Sequence, residues 1–151
     1  MLNRFRKLFM PLVLVALGLV SVMAAPPSQA AATSNYFQNH IIDQVFRAQT
    51  ALAPATIYVE LATSTATAQA CGTEVSGGSY ARQAITSSLA NWAGTQGAGT
   101  TSASTNSSGS SGTTSNNAAI TYPAPTANWT TITTFCLMDA SSGGNELVYA
   151  G

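Results

Sequence analysis

The chain is 151 residues long, 46% hydrophobic and only 7% charged, with five Lys or Arg against five Asp or Glu and two cysteines. That length holds one domain with one core. So few and so balanced charges exclude a nucleic-acid-binding surface, which needs clustered Lys and Arg to displace counterions from phosphates.

Arg4, Arg6 and Lys7 form a positive start, Leu8 to Ala24 form an apolar run, and the small residues of "AAPPSQAAA" follow. This layout predicts a secretory signal peptide over residues 1–30, cut after Ala24 or Ala30; retained, the run would instead tether the chain to a membrane. Removing it leaves Arg47 and Arg82 against Asp43, Glu60, Glu74, Asp139 and Glu146, a net charge of −3 with no lysine. The expected location is therefore outside the cytoplasm: extracellular, on the cell surface or periplasmic.

Residues 31–151 then read as a single β-rich domain. "SNYFQNHIIDQVFRAQTALAP" predicts an amphipathic helix capped by Ser34 or Asn35, carrying Phe37, Ile41, Val45 and Ala48 as an apolar stripe against a sheet, and ended by Pro54. In "ATIYVELATS" the period falls to two, with Ile57, Val59 and Leu61 alternating with Tyr58 and Glu60, which predicts a strand. "CGTEVSGGSYAR" carries three glycines, but no Lys-Ser or Lys-Thr pair follows and no helix opens there, so it is not a phosphate loop. The plain reading is a structural turn on Gly77 and Gly78 leading to a strand through Tyr80, Arg82 and Ala84, with Glu74 and Arg82 as a surface salt bridge across it.

From Gly94 to Asn117 no residue is larger than Gln, which predicts a flexible Gly/Ser/Thr loop. Ile120 and Tyr122 predict a short strand stopped by Pro123 and Pro125. Ile132, Thr134, Cys136 and Met138, alternating with Thr133, Phe135 and Leu137, predict a central strand, and a last strand through Leu147 and Tyr149 follows a turn on Gly143 and Gly144. An N-terminal helix followed by short strands argues for a mainly β fold, an antiparallel sandwich or jelly-roll-like domain.

Catalytic and metal constellations are weak. His40 has Asp43 three residues on, but no nucleophile is placed beside it. Glu74 with Glu146, or Glu60 with Asp139, could meet as an acid pair for glycoside hydrolysis, as any few carboxylates could, and none is assigned. One histidine and two distant cysteines lack zinc spacing, so neither metal nor cofactor is expected. Cys71 and Cys136 either form one disulfide, worth about 4 kcal/mol in the chain-entropy picture, or remain two buried thiols. Asn106-Ser107-Ser108 and Asn128-Trp129-Thr130 match the glycosylation triplet, a short and common pattern.

The blocks "NHIIDQVFRAQTALAPATIYVELATS", "GTEVSGGSYARQAIT" and "TTSNNAAITYPAPTANWTTITTFCLMDASSGGNELVYAG" resemble a family of small tailed-bacteriophage virion proteins, labelled tail fibre or capsid decoration proteins, over about residues 34–151. The resemblance implies a non-enzymatic β-rich structural subunit that self-associates or docks on a particle as a homo-oligomer or with other structural proteins. It also implies no secretory leader, and further strand sequence past Gly151, so that either the chain is truncated or a neighbouring copy lends a strand to a filament. A secreted or periplasmic binding or adhesion module is the alternative reading.

Overall fold

The computed structural model describes residues 31–94, 107 and 114–150. The expected leader at 1–30, most of the expected loop at 94–117 and Asn106 of the first glycosylation triplet lie outside the described residues. Within them the protein is mainly β: β1 (Ala32–Thr33), α1 (Asn35–Phe46), β2 (Thr56–Ala62), β3 (Gln83–Thr86), β4 (Thr134–Met138) and β5 (Glu146–Ala150). The five strands form one sheet in the order β1-β5-β4-β2-β3, every neighbouring pair antiparallel. Strand β4 is central, as its apolar character on both faces predicts. The described strands supply a single layer, and loops in place of a second sheet cover it.

The register explains the core. Tyr58, Glu60 and Ala62 of β2 lie opposite Met138, Cys136 and Thr134 of β4, and Cys136 lies opposite Tyr149 of β5. Because side chains alternate between faces, these residues share one face, and Ala62, Cys136 and Met138 form its core with Ala66 and Cys71 of the following loop, flanked by Tyr58 and Tyr149. The more apolar-looking set of β2 lies on the other face, where Val59 is buried but Ile57 and Leu61 are only half-buried. A register irregularity at Leu137/Met138 places Glu146 opposite Met138, and both Glu146 and Leu147 are buried.

Cys71 and Cys136 are joined by a disulfide across a sequence separation of 65. It ties the loop after β2 onto the central strand.

Helix α1 starts where the sequence places it. Ser34 accepts the Phe37 amide at 3.1 Å, its hydroxyl donates to the Glu146 carbonyl, and its own amide donates to the Leu147 carbonyl at 2.9 Å. One buried serine thus caps the helix and fastens it to β5. The helix stops at Phe46 rather than near Pro54: Ala48 takes φ 51°, and the amides of Arg47 and Gln49 both turn back to the Asp43 carbonyl, at 3.2 and 3.0 Å. Nor is its apolar stripe covered by the sheet, since none of its residues is buried.

Two expected strand segments are loops. Strand β3 begins only at Gln83, because Tyr80 and Arg82 are drawn inward: the Tyr80 hydroxyl accepts the Leu61 amide at 2.9 Å, and Arg82 engages carboxylates. Residues 120–122 form no strand either. The Tyr122 hydroxyl donates to the Val59 carbonyl at 2.6 Å, and the prolines at 123 and 125 bring no amide to a ladder. Strand β3 pairs four residues of β2, and from Val59 on the two tyrosine hydroxyls and a short backbone bridge between Ala62 and Glu74 take the place of a longer strand.

Reducing the disulfide, or replacing both cysteines in a Cys71→Ala, Cys136→Ala variant, is expected to lower unfolding free energy by about 4 kcal/mol. Urea unfolding with and without reductant reads this directly, and coincident midpoints would show that the crosslink carries no stability.

Candidate functional site

The chemistry-bearing side chains converge on Arg82. Its side chain is 4% exposed and meets Glu60, itself buried, and Glu74, which is about one-third exposed. Arg82 Nε and Nη2 bind the two oxygens of Glu74, each at 2.8 Å, a bidentate fork. Its Nη2 also lies 2.6 Å from Glu60 Oε2, an ion pair without hydrogen-bond alignment. The remaining nitrogen, Nη1, donates to the carbonyls of Ala140 and Gly143 at 2.8 and 2.7 Å. One guanidinium thereby joins β2, the segment after the disulfide and the β4–β5 turn. The turn-spanning pair expected at the surface is a buried, three-segment knot.

That turn is made for the contact. Asp139 accepts the Asn145 amide at 2.6 Å and its side-chain nitrogen at 2.9 Å, and the Asp139 amide donates to the Asn145 carbonyl at 3.1 Å. These bonds overcome the burial that opposes ionisation and hold the Asp139 carboxyl below its ordinary value. Gly144, at φ 74°, leaves no room for a side chain: a Cβ there would stand 2.5 Å from both Ala140 Cβ and Asp139 Oδ1.

Beside the knot opens a cleft of about 450 Å³ whose lining includes Ser34, Tyr36, Glu60, Glu74, Arg82 and Glu146. Burial pushes the Glu146 carboxyl up to about 7, with the field of Glu60 adding to it. Burial also raises Glu60, against the pull of Arg82 and with the repulsion of Glu74. For Arg82, burial alone would weaken the charge, but hydrogen bonds to Glu74 and the fields of both carboxylates raise its value above the ordinary one.

Cys71, Cys136 and Glu146 bring one potential ligand atom each within 4.8 Å of one another. Both sulfurs are bonded to each other and cannot act as thiolates, so the group does not fit a metal. The 3.6 Å approach of Glu146 Oε2 to Cys136 Sγ is for the same reason not donated by sulfur; a protonated Glu146 is the one partner with a hydrogen to give. Glu60, Glu74 and Glu146 thus line one cleft, whereas Asp139 is engaged by Asn145. His40 stacks edge-on against Tyr36 with centroids 4.5 Å apart, while Asp43 pairs with Arg47 at 3.0 Å. The His40–Asp43 pairing weighed from sequence is therefore not formed.

An aromatic group that sequence reading does not assemble closes the far side. Tyr80, Tyr122 and Trp129 pack with centroids 5.5–6.1 Å apart, Tyr80 and Tyr122 stacked and Trp129 edge-on to both. Trp129 Nε1 donates to the Gly78 carbonyl at 2.9 Å, and a Cβ on Gly78 would come within 2.7 Å of that nitrogen. The Gly77-Gly78 turn, both residues at positive φ, is thus shaped to receive Trp129 rather than to join paired strands. Burial pushes the Tyr80 hydroxyl up to about 12, against the Leu61 amide, and raises Tyr122 further. Both phenols stay protonated and act as structural donors and acceptors.

Residues 32–151 match the family model described as podophage GP4 fiber I protein gp80. The chain belongs to that family. Membership supports a structural role in a virion and, with it, assembly with other virion proteins. No curated protein matches the chain. Among the described residues, no helix is long and apolar enough to cross a membrane.

Arg82→Met is expected to cost about 3–5 kcal/mol, because it strands Glu60 as a buried unpaired charge, and a combined Glu60→Met, Arg82→Met variant should recover part of the loss. Equilibrium unfolding of the two variants decides it; equal losses would mean that the pair is not the source. Glu146 gives a pH test. Its folded value lies above the ordinary 4.5, so its contribution is complete below about 4.5 and is lost as pH rises through about 7. Stability should fall over that window by on the order of 2 kcal/mol, and Glu146→Gln should flatten the fall, leaving the smaller slope due to Glu60.

Proposed function

We propose that the protein is a non-enzymatic structural subunit of a phage tail fibre, acting through shape and contacts with other copies and other virion proteins. The family match over residues 32–151 carries this reading. The disposition of charge supports it: Arg82, Glu60 and Glu74 are spent on one another, both cysteines are crosslinked, and apart from the Asp43–Arg47 pair the outward surface of the described residues is mostly hydroxyls, amides and apolar side chains. Such a surface suits docking by fit rather than by titratable chemistry.

The reading extends to where the chain works. A crosslink between Cys71 and Cys136 persists in oxidising surroundings such as a virion surface outside the cell. Fibre assembly in the host, followed by closure of the crosslink after release, accommodates it.

Mass spectrometry and immunogold labelling of purified particles from the host of this gene test the proposal. The chain is expected in stoichiometric amounts on fibres, and deletion of its gene should remove them. Particles with complete fibres that lack the chain would overturn it.

A further inference from the structure

Helix α1 carries a contradiction that the fold alone does not resolve. Ile41, Ile42, Val45 and Phe46 are 43, 49, 64 and 80% exposed, although the helix is rigidly capped and pinned to β5 through Ser34. Together they expose on the order of 400 Å² of apolar surface, as large as the greatest patch on an ordinary monomer. The patch has relief. Its projecting end is Phe46, and at the opposite end of the helix Phe37, Ile41 and Ile42, with Thr33 and Gln38, line a shallow recess of about 360 Å³.

We infer that this face is the docking surface for a second copy of this chain, the two α1 helices packing antiparallel about a two-fold axis. An axis passing between Asp43 and Gln44 sets Phe46 of each copy at the level of Ile41 and Ile42 of the other, over the recess, and Val45 at the level of Ile42. The projection and the recess on one helix are thereby both used, and the contact is self-complementary and closed. The pair buries about 1,000 Å² in all, the lower bound for a specific interface, so the association is weak and concentration-dependent.

Charge argues for this occupant. Asp43 of α1 and Arg47, the residue just past its end, neutralise each other at 3.0 Å, so two copies approach without repulsion. A lipid surface is recognised by a basic margin along such a face, and this margin has no net charge. The inference deepens the fibre-subunit reading by naming one of its contacts, and rests on it for its biological setting.

Sedimentation velocity on the chain as purified from its host should show a monomer–dimer equilibrium. Phe46→Asp should weaken association at least ten-fold while leaving the thermal midpoint unchanged, because Phe46 makes little contact within its own copy. Mixing Ile42→Cys chains with Phe46→Cys chains under mild oxidation should give a crosslinked dimer faster than either variant alone. A wild-type monomer up to about 100 μM, an open ladder of higher species, or binding to anionic vesicles without dimerisation would each overturn the inference. A monomeric chain that is still found on fibres would end this inference alone, whereas a dimer absent from virions would end the fibre reading alone.

Discussion

Removing an arginine from water is costly, and the fold is arranged so that Arg82 never lacks partners once it is removed. Two carboxylates and two carbonyls surround its guanidinium. The carboxylates arrive from β2 and from the loop after it, while the carbonyls come from the turn between β4 and β5. These are remote parts of the chain, and only the native arrangement brings them together. Such a knot adds little net energy beyond what an apolar filling would supply, but it penalises any arrangement that leaves one partner out. In a single sheet with few large buried side chains, that penalty and the Cys71–Cys136 crosslink hold the covering loops in register.

The same economy runs through the rest of the molecule. The buried core is made of small residues, Ala62, Ala66, Cys71 and Cys136 with Met138, so the loops lie close to the sheet, and polar anchors replace bulk. Ser34 caps α1 and binds β5; Tyr80 and Tyr122 satisfy backbone groups of β2 that a neighbouring strand would otherwise take; Trp129 locks the Gly77-Gly78 turn. In each case one side chain supplies the hydrogen bond that a regular element would have supplied. Among the described residues, the sheet is thus covered without a second one being built.

The sequence announces what is periodic or local. Alternation in residues 56–62 and 134–138 is enough to place β2 and β4, the apolar character of β4 makes it central, and Ser34 marks the start of α1. It is silent on what depends on distant partners. Glu74 and Arg82, eight residues apart, suggest a local pair, but nothing near them points to Ala140 and Gly143. Tyr80 and Tyr122 sit in strand-like contexts, and only the arrival of their hydroxyls at Leu61 and Val59 removes them from strands. The end of α1 is misplaced because a left-handed Ala48 has no glycine to advertise it. Glu60 and Glu146 look like solvent-facing residues of their strands; the hint that they are not is the smallness of what shares their face, Ala62 and Cys136.

A last consequence concerns the isolated bridge between Trp92 and Asn116. The Ala93 amide bonds the Ser115 carbonyl and the Asn117 amide bonds the Asn91 carbonyl, each at 2.8 Å, so the chain is cinched before and after the stretch in between. Lengthening a closed stretch costs only about 0.6 kcal/mol per doubling. The clasp therefore fixes where the stretch leaves the described fold and where it returns, whatever its length.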